Sequence, residues 1–415
     1  MNSKEYIAGF ILLALVLLLG ATELTSTIFF RLVVGLGLGY ALSRASLGFA
    51  GSVNRAYRYG STRLMRALMV LFTLTAIAST AFLYGQNPLQ MHLWVNPINI
   101  GLLVGGLLFG FGMSIGSCCA TGVMSYFSSN LARPLIVLFF FGMGVFLGFP
   151  LQATQSWIKQ TVVSTSTYAG RGVYLPDLFS GDPLHGYLGA ILLTALFAGI
   201  VIWISHRYEQ ARRNKNTYIG VESEHEQLAQ KPFNSAEHPL FSFATYEALF
   251  IRRWSAFTGI TVIVVLFSLL MGVTGSGWGA SSPFGFWFGR LLIAFGIDPA
   301  SVAAFTHRPE KVFTMPFFSH SVSVQNLGIL IGSVISLLLS GRFGKSVIRL
   351  QLSWREVIML VIAGLSLGLG TRLANGCNVG ALYTPIANFS LSGWIFLVVM
   401  VLGAIAGNKF TKKFG

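Results

Sequence analysis

Long uncharged apolar runs recur along this chain and constrain its fold more than any other feature. "YIAGFILLALVLLLG" (6–20) and "GYLGAILLTALFAGIVIWIS" (186–205) are representative. A helix needs roughly 17–25 mostly apolar residues to cross a bilayer, where every backbone polar group must be satisfied internally. Only 10% of the 415 residues are charged, against about 25% in a soluble domain. The chain therefore reads as an all-α polytopic membrane protein. Its first apolar run follows "MNSKEY", where one Lys is offset by Glu5, and no small-residue cleavage site follows "LLLG". That run is expected to be a retained helix rather than a signal peptide.

The formal net charge is +15, but no basic helix with interleaved aromatics is present, so a nucleic-acid partner is not expected. Lys and Arg gather instead in short segments between apolar runs, as positive-inside topology requires. Rich in them are "NRAYRYGSTRLMR" (54–66), the polar stretch 205–239 with "IRR" behind it, "GRFGKSVIRL" (341–350) and the tail "NKFTKKFG". The segment 84–99 has none, and 151–183 has only Lys159 and Arg171. The first group is expected to face the cytoplasm and the second pair the outside, against membrane lipid in between.

The polar stretch divides the chain into a transmembrane half 1–204, a linker 205–253 and a transmembrane half 254–415. Setting Cys119 on Cys377 aligns "GLLFGFGMSIGSCCATGVMSYFSSN" (106–130) with "GLSLGLGTRLANGCNVGALYTPIAN" (364–388) without a gap. Gly106, Leu107, Gly110, Gly112, Cys119, Gly122 and Asn130 fall on Gly364, Leu365, Gly368, Gly370, Cys377, Gly380 and Asn388. The charge pattern sends the two segments through the membrane in opposite directions. Together these predict two inverted-topology repeats whose broken or re-entrant helices meet at a central pore, as in many secondary transporters. "SCCATG" and "NGCNVG" each follow a close-packing glycine face and lead into helix-weakening residues. "FGFWFGRLLIAFG" (284–296) is too short to span and reads as re-entrant.

Three cysteines are an odd number, and Cys118 and Cys119 are adjacent, too close for an ordinary bridge. No CxxC, His-rich ligand set, carboxylate cluster or P-loop is present, so neither a metal nor another cofactor is expected. A lone membrane cysteine is ordinarily a small apolar filler. A thiol beside a helix break can also donate a weak hydrogen bond to a soft anion, ligate a soft metal, or carry a persulfide. Soft-anion recognition fits best, because a helix break also exposes backbone N–H groups. Arg372, five residues before Cys377, stands at membrane depth, where arginine is a functional candidate by default; snorkelling or carbonyl pairing is the plainer alternative. Arg290 and Arg44 are weaker candidates of the same kind. His307 and His320 read as interfacial, and the charges of the linker as a solvated face.

"GLGTRLANGCNVGALYTPIANFSLSGW" (368–394) resembles the glycine–cysteine signature of the YeeE/YedE family of sulfur-transport membrane proteins, and "LFGFGMSIGSCCATG" (108–122) its other cysteine repeat. The similarity extends over "VTGSGWG" (273–279) and "GYALSRASLGFAGSVNRAY" (39–57). The resemblance implies a multi-pass protein of the bacterial inner membrane that takes up thiosulfate or a related small sulfur-containing anion. In it, Cys119 and Cys377 match the family's cysteines at a narrow waist, and Cys118 stands where the family usually has Gly. Gly122, Gly380, Asn378 and Arg372 complete the expected binding set. A third family cysteine falls on Gly48, a departure that bears on the choice of substrate more than on transport. Two rival readings remain: a membrane-embedded sulfur-transfer protein passing a persulfide to a cytosolic carrier, and a structural subunit whose cysteines only pack.

Overall fold

Apolar runs of membrane length fold as helices in the computed structural model, which describes residues 3–49, 51–117, 132–230, 239, 241–346 and 352–414. The long elements are α1 (Ser3–Glu23), α2 (Ser26–Ala45), α3 (Arg63–Leu83), α4 (Ile100–Gly116), α5 (Ala132–Thr154) and α6 (Tyr187–Asn214). They continue with α7 (Glu222–Ala229), α8 (Ala256–Thr274), α9 (Ser282–Ala294), α10 (Ser321–Leu339), α11 (Trp354–Leu373) and α12 (Leu391–Phe414). Among the described residues nine helical segments are long and apolar enough to cross a membrane, and there is no β-strand. The segment read as re-entrant is α9, a helix of 13 residues, about 20 Å long at 1.5 Å per residue and too short to span.

Glycines set how these helices meet. In lipid, burial of apolar surface gives no advantage to helix contact over lipid contact, so close backbone approach and dispersion must supply the association. On α2 and α10, a Cβ at Gly39 would stand 2.0 Å from the Ile329 carbonyl oxygen, and one at Gly332 would stand 2.1 Å from that of Leu36. The two helices run parallel, since Gly35 faces Gln325 and Gly39 faces Ile329. Parallel packing recurs between α4 and α12, where Gly110 abuts Met400 and Gly407 abuts Phe111 and Ser114. It recurs again between α5 and α11, where Gly144 meets Leu365 and Gly148 meets Arg372. By contrast α4 and α11 are antiparallel: Gly101 lies against Leu373, Gly105 against Ala374 and Gly112 against Ala363. So are α2 and α8, with Gly37 on Leu266 and Gly259 on Ala45. The helix α1 packs on α10, α6 on α3, and α3 on α8.

The linker differs from expectation. Its first ten residues belong to α6, which runs 28 residues to Asn214. Its acids are not a solvated face: Glu209 and Glu224 are 7% and 5% exposed. Both are drawn in by the basic segment after α2. Glu224 pairs with Arg55 at 3.0 Å, and Glu209 with Arg66 at 3.1 Å while accepting from the Thr62 backbone N–H at 3.0 Å. A buried carboxylate persists only where cations and N–H donors replace its water.

Candidate functional site

The helix α11 breaks at its C-terminus. Asn375 adopts a left-handed conformation (φ 58°), Cys377 is extended (φ −90°, ψ −168°), and a wide helical turn then runs Asn378–Tyr383 before Thr384–Ala387. The chain doubles back so tightly that a Cβ on Gly376 would stand 2.4 Å from the Gly380 carbonyl carbon, so the turn requires glycine. The Ala381 N–H donates to the Cys377 carbonyl at 2.6 Å. The Cys377 thiol is 1% exposed. Trp94 covers this turn: a Cβ on Gly380 would lie 2.4 Å from its ring. Asn96 donates from Nδ2 to the Gly380 carbonyl at 3.0 Å, pinning the 84–99 segment onto the break.

Asn378 donates from Nδ2 to Met113 Sδ on α4 at 3.4 Å, while its Oδ1 is buried without a partner among the described residues. Met113 is five residues before Cys118 in the sequence. Beyond the turn, Tyr383 is fully buried in an aromatic cluster, with ring centroids 5.0 Å from Phe267, 5.7 Å from Phe72 and 5.8 Å from Phe49. Its hydroxyl meets Thr75 Oγ1 at 3.0 Å. Trp278 joins this cluster edge-on to Tyr383, and its carbonyl accepts from Thr384 Oγ1 at 2.7 Å. The Trp278 indole N–H is buried with no acceptor among the described residues. A buried donor left open in this way costs free energy in the resting protein.

One turn before Cys377 stands Arg372, 3% exposed. Its guanidinium donates to Ser282 Oγ at 3.0 Å and to Ser281 Oγ at 2.5 Å, and lies 5.5 Å from the Phe149 ring centroid. Against the same ring, at 4.9 Å, lies Arg308. Arg308 donates to Gln152 Oε1 at 2.6 Å, and Gln152 Nε2 donates to Asn375 Oδ1 at 2.6 Å. A relay of three side chains thus ties the second arginine to the bend that positions Cys377. Among the described residues neither arginine is ion-paired. A buried guanidinium on two serine hydroxyls and a half-buried one on an amide oxygen, sharing one aromatic ring, attract an anion and repel one another.

Of the residues singled out in the sequence, Cys377, Asn378, Gly380 and Arg372 come together on this one break. Cys118, Cys119 and Gly122 lie outside the described residues. Arg290 donates to the Met315 carbonyl and is held by the loop. Arg44 lies elsewhere, on a separate cavity with Gly48. His320 caps α10, its Nδ1 accepting from the Ser323 N–H at 3.1 Å. His307 closes the short helix Pro299–Thr306 with φ 51°. No cluster of His, Cys, Asp or Glu among the described residues has the makings of a metal site. Sequence reading passed over Arg308, Gln152, Trp94 and Trp278. "TRL" and "THR" each carried a membrane arginine, but nothing in their spacing shows that both rest on Phe149.

Comparison with known proteins gives this geometry a context. The family described as "Sulphur transport" matches residues 44–406, most of the chain. A probable transporter, YedE of Escherichia coli K12, is 27% identical over 170 residues, 40% of this chain and 39% of that protein. The YedE of Salmonella typhimurium matches similarly, so the chain spans about two fifths of the length of these YedE proteins. The thiosulfate transporter TsuA of Escherichia coli K12 is 24% identical over 379 residues, 91% of this chain and 93% of that protein. The TsuA of Spirochaeta thermophila is 23% identical over 385 residues, covering 90% and 95%.

Proposed function

Because this chain belongs to the sulphur-transport family and is a multi-pass inner-membrane protein, we propose that it is a permease taking up thiosulfate or a related small sulfur-containing anion, not an enzyme. The observation that carries the reading is a buried thiol, Cys377, five residues from a buried arginine, Arg372, that has no ion pair among the described residues. A thiol contributes weak S–H donation and soft sulfur contact to the sulfane end of such an anion, and a guanidinium serves its oxygens. Cys119, Cys118 and Gly122, which align with this segment in the sequence, are assigned the same role in the other half of the chain. Gly380 makes room for the Trp94 ring that covers the turn, and Asn378 orients the turn against Met113.

The helix directions support the two-repeat reading. The equivalent pairs α4/α11 and α2/α8 are antiparallel, as inversion demands. The cross pairs recur: α4 on α12 as α5 on α11, and α2 on α10 as α3 on α8. In such an architecture the substrate site lies where the repeats meet, and Cys377 sits at the end of the antiparallel α4/α11 contact. Relatives named thiosulfate transporters that match over nine tenths of the chain favour thiosulfate.

The test is uptake of thiosulfate labelled separately at each sulfur, in cells lacking other sulfur-anion importers. Equal uptake of both labels, abolished in Cys377→Ala and Cys119→Ala at matched expression, is expected. Accumulation of the sulfane label alone would instead indicate persulfide transfer to a cytosolic carrier, and uptake unchanged by both substitutions would leave the cysteines to packing.

A further inference from the structure

The ends of α2 and α10 border a small basic cavity of about 130 Å³. Arg44, Arg55, Arg253 and Arg342 line it together with Ser336 and Ser340. All four arginines belong to or adjoin the basic segments that the charge pattern assigns to the cytoplasmic side. One wall is Ser223 of α7, so the linker helix forms its lid.

Glu224 of α7 pairs with Arg55 at 3.0 Å. Glu226, also of α7, pairs with Arg253 and lies 3.8 Å from Arg342. Arg44 has no ion pair among the described residues; it is 4% exposed, one of its terminal nitrogens donates to the Arg252 carbonyl, and its Nε is buried without an acceptor. A buried, half-used guanidinium on an enclosed polar cavity is costly unless something occupies it. A single water needs only about 10–15 Å³ on this measure, so the cavity has room for one tetrahedral ion. Among the described residues every side-chain donor lining the cavity is N–H or O–H, which suits an anion's oxygens.

We propose that this cavity is a binding site for a small dianionic oxyanion of the sulfate or thiosulfate type, closed by α7, whose Glu226 competes with the anion for Arg253 and Arg342. Its place as the resting point on the cytoplasmic side of the route rests on the transport reading; the binding itself does not. Sulfate is the probe, because it has no sulfane sulfur for the Cys377 constriction to select. Equilibrium binding of radiolabelled sulfate to the purified full chain is compared across variants. Wild type and Cys377→Ala are expected to bind saturably and alike. Arg44→Gln should weaken binding at least roughly tenfold, the loss of one charge-assisted contact. Glu226→Gln should tighten it several-fold, an effect that misfolding cannot produce.

Absence of saturable sulfate binding in wild type overturns the proposal, as does a folded Arg44→Gln that binds like wild type. Loss of sulfate binding in Cys377→Ala would place the site at the constriction and also overturns it. If Arg44→Gln fails to fold, Glu226→Gln decides: tighter binding upholds the site, and unchanged binding refutes it. Failure of thiosulfate uptake beside intact sulfate binding would sink the transport reading and leave this site standing.

Discussion

Replacing Arg372 with Met separates a residue kept for the anion from one kept for the fold. Its guanidinium is buried, donates to Ser281 and Ser282, and shares the Phe149 ring with Arg308, the two lying 5.5 and 4.9 Å from the ring centroid. The two charges are therefore no more than about 10 Å apart, a repulsion of about 1.5 kcal/mol at an effective dielectric near 20. Arginine at membrane depth costs a further ~2.5–3.5 kcal/mol on insertion scales. Against this, membrane hydrogen bonds contribute ~0.6–1.7 kcal/mol each and a desolvated cation–π contact about 1–2 kcal/mol. Methionine keeps most of the volume and packs on Phe149, so the substitution should be neutral or stabilise by up to about 2 kcal/mol. Uptake should fall by roughly 10- to 150-fold, the loss of one charge-assisted contact to the passing anion. The assay is thermal unfolding of the purified protein beside thiosulfate uptake normalised to folded protein. A midpoint lowered by more than about 5 °C, with uptake per folded molecule within twofold of wild type, would refute the reasoning and make Arg372 a structural residue.

Cys377→Ala removes one buried sulfur and should cost under about 1.5 kcal/mol of stability while abolishing uptake; a thermal melt and uptake on the same preparation check both. Gly39→Leu drives a side chain into the Ile329 carbonyl, 2.0 Å from where its Cβ would stand, and should leave no monodisperse folded protein by size exclusion. Gly199→Leu is its control, because nothing lies within 4 Å of that position. His320 is held below its ordinary pKa by burial first and then by Arg290 and Arg31, so the unfolded chain takes up its proton more readily. Stability is therefore full above about pH 6.5 and declines as the pH falls below it, by at most about 1.4 kcal/mol per unit. Protonation would also cost Nδ1 its acceptor role toward Ser323. Thermal midpoints at pH 7 and pH 5 should differ more in wild type than in His320→Asn, which can cap without titrating.

What the sequence discloses and what it hides follow from the range of the interactions. Glycines at four-residue spacing, the break at "NGCNVG" and an arginine within an apolar run are local patterns, and each locates its element without knowledge of a partner. The opposed directions of α4 and α11 were legible because two segments aligned and the basic loops oriented them; which glycines meet was not, since Gly106 and Gly110 pack on α12 while Gly101, Gly105 and Gly112 face α11. The shared ring between Arg372 and Arg308, by contrast, exists only once α5 brings Phe149 between residues 64 positions apart. The Thr75–Tyr383 contact spans 308 positions, and neither residue is unusual in its own neighbourhood.

The linker shows the same limit from the other side. "VESEHEQLAQ" carries four acidic or basic residues among ten if histidine is counted, and by composition alone such a stretch belongs in water. What pulls Glu224 inside is the surplus of arginine at the ends of α2 and α10, a feature of the assembled bundle. Positive-inside loops are usually explained by insertion. Here Arg44, Arg55, Arg253 and Arg342, once folded, gather around one cavity. In the permease proposed above, that excess of cations has a use on the cytoplasmic side, since it lowers the energy of the ion where it must arrive. Removing the excess should therefore slow uptake without touching Cys377: thiosulfate uptake in Arg253→Gln is expected to fall several-fold with its preference over sulfate unchanged. A changed preference would mean that discrimination between the anions resides at this face and not at the thiols.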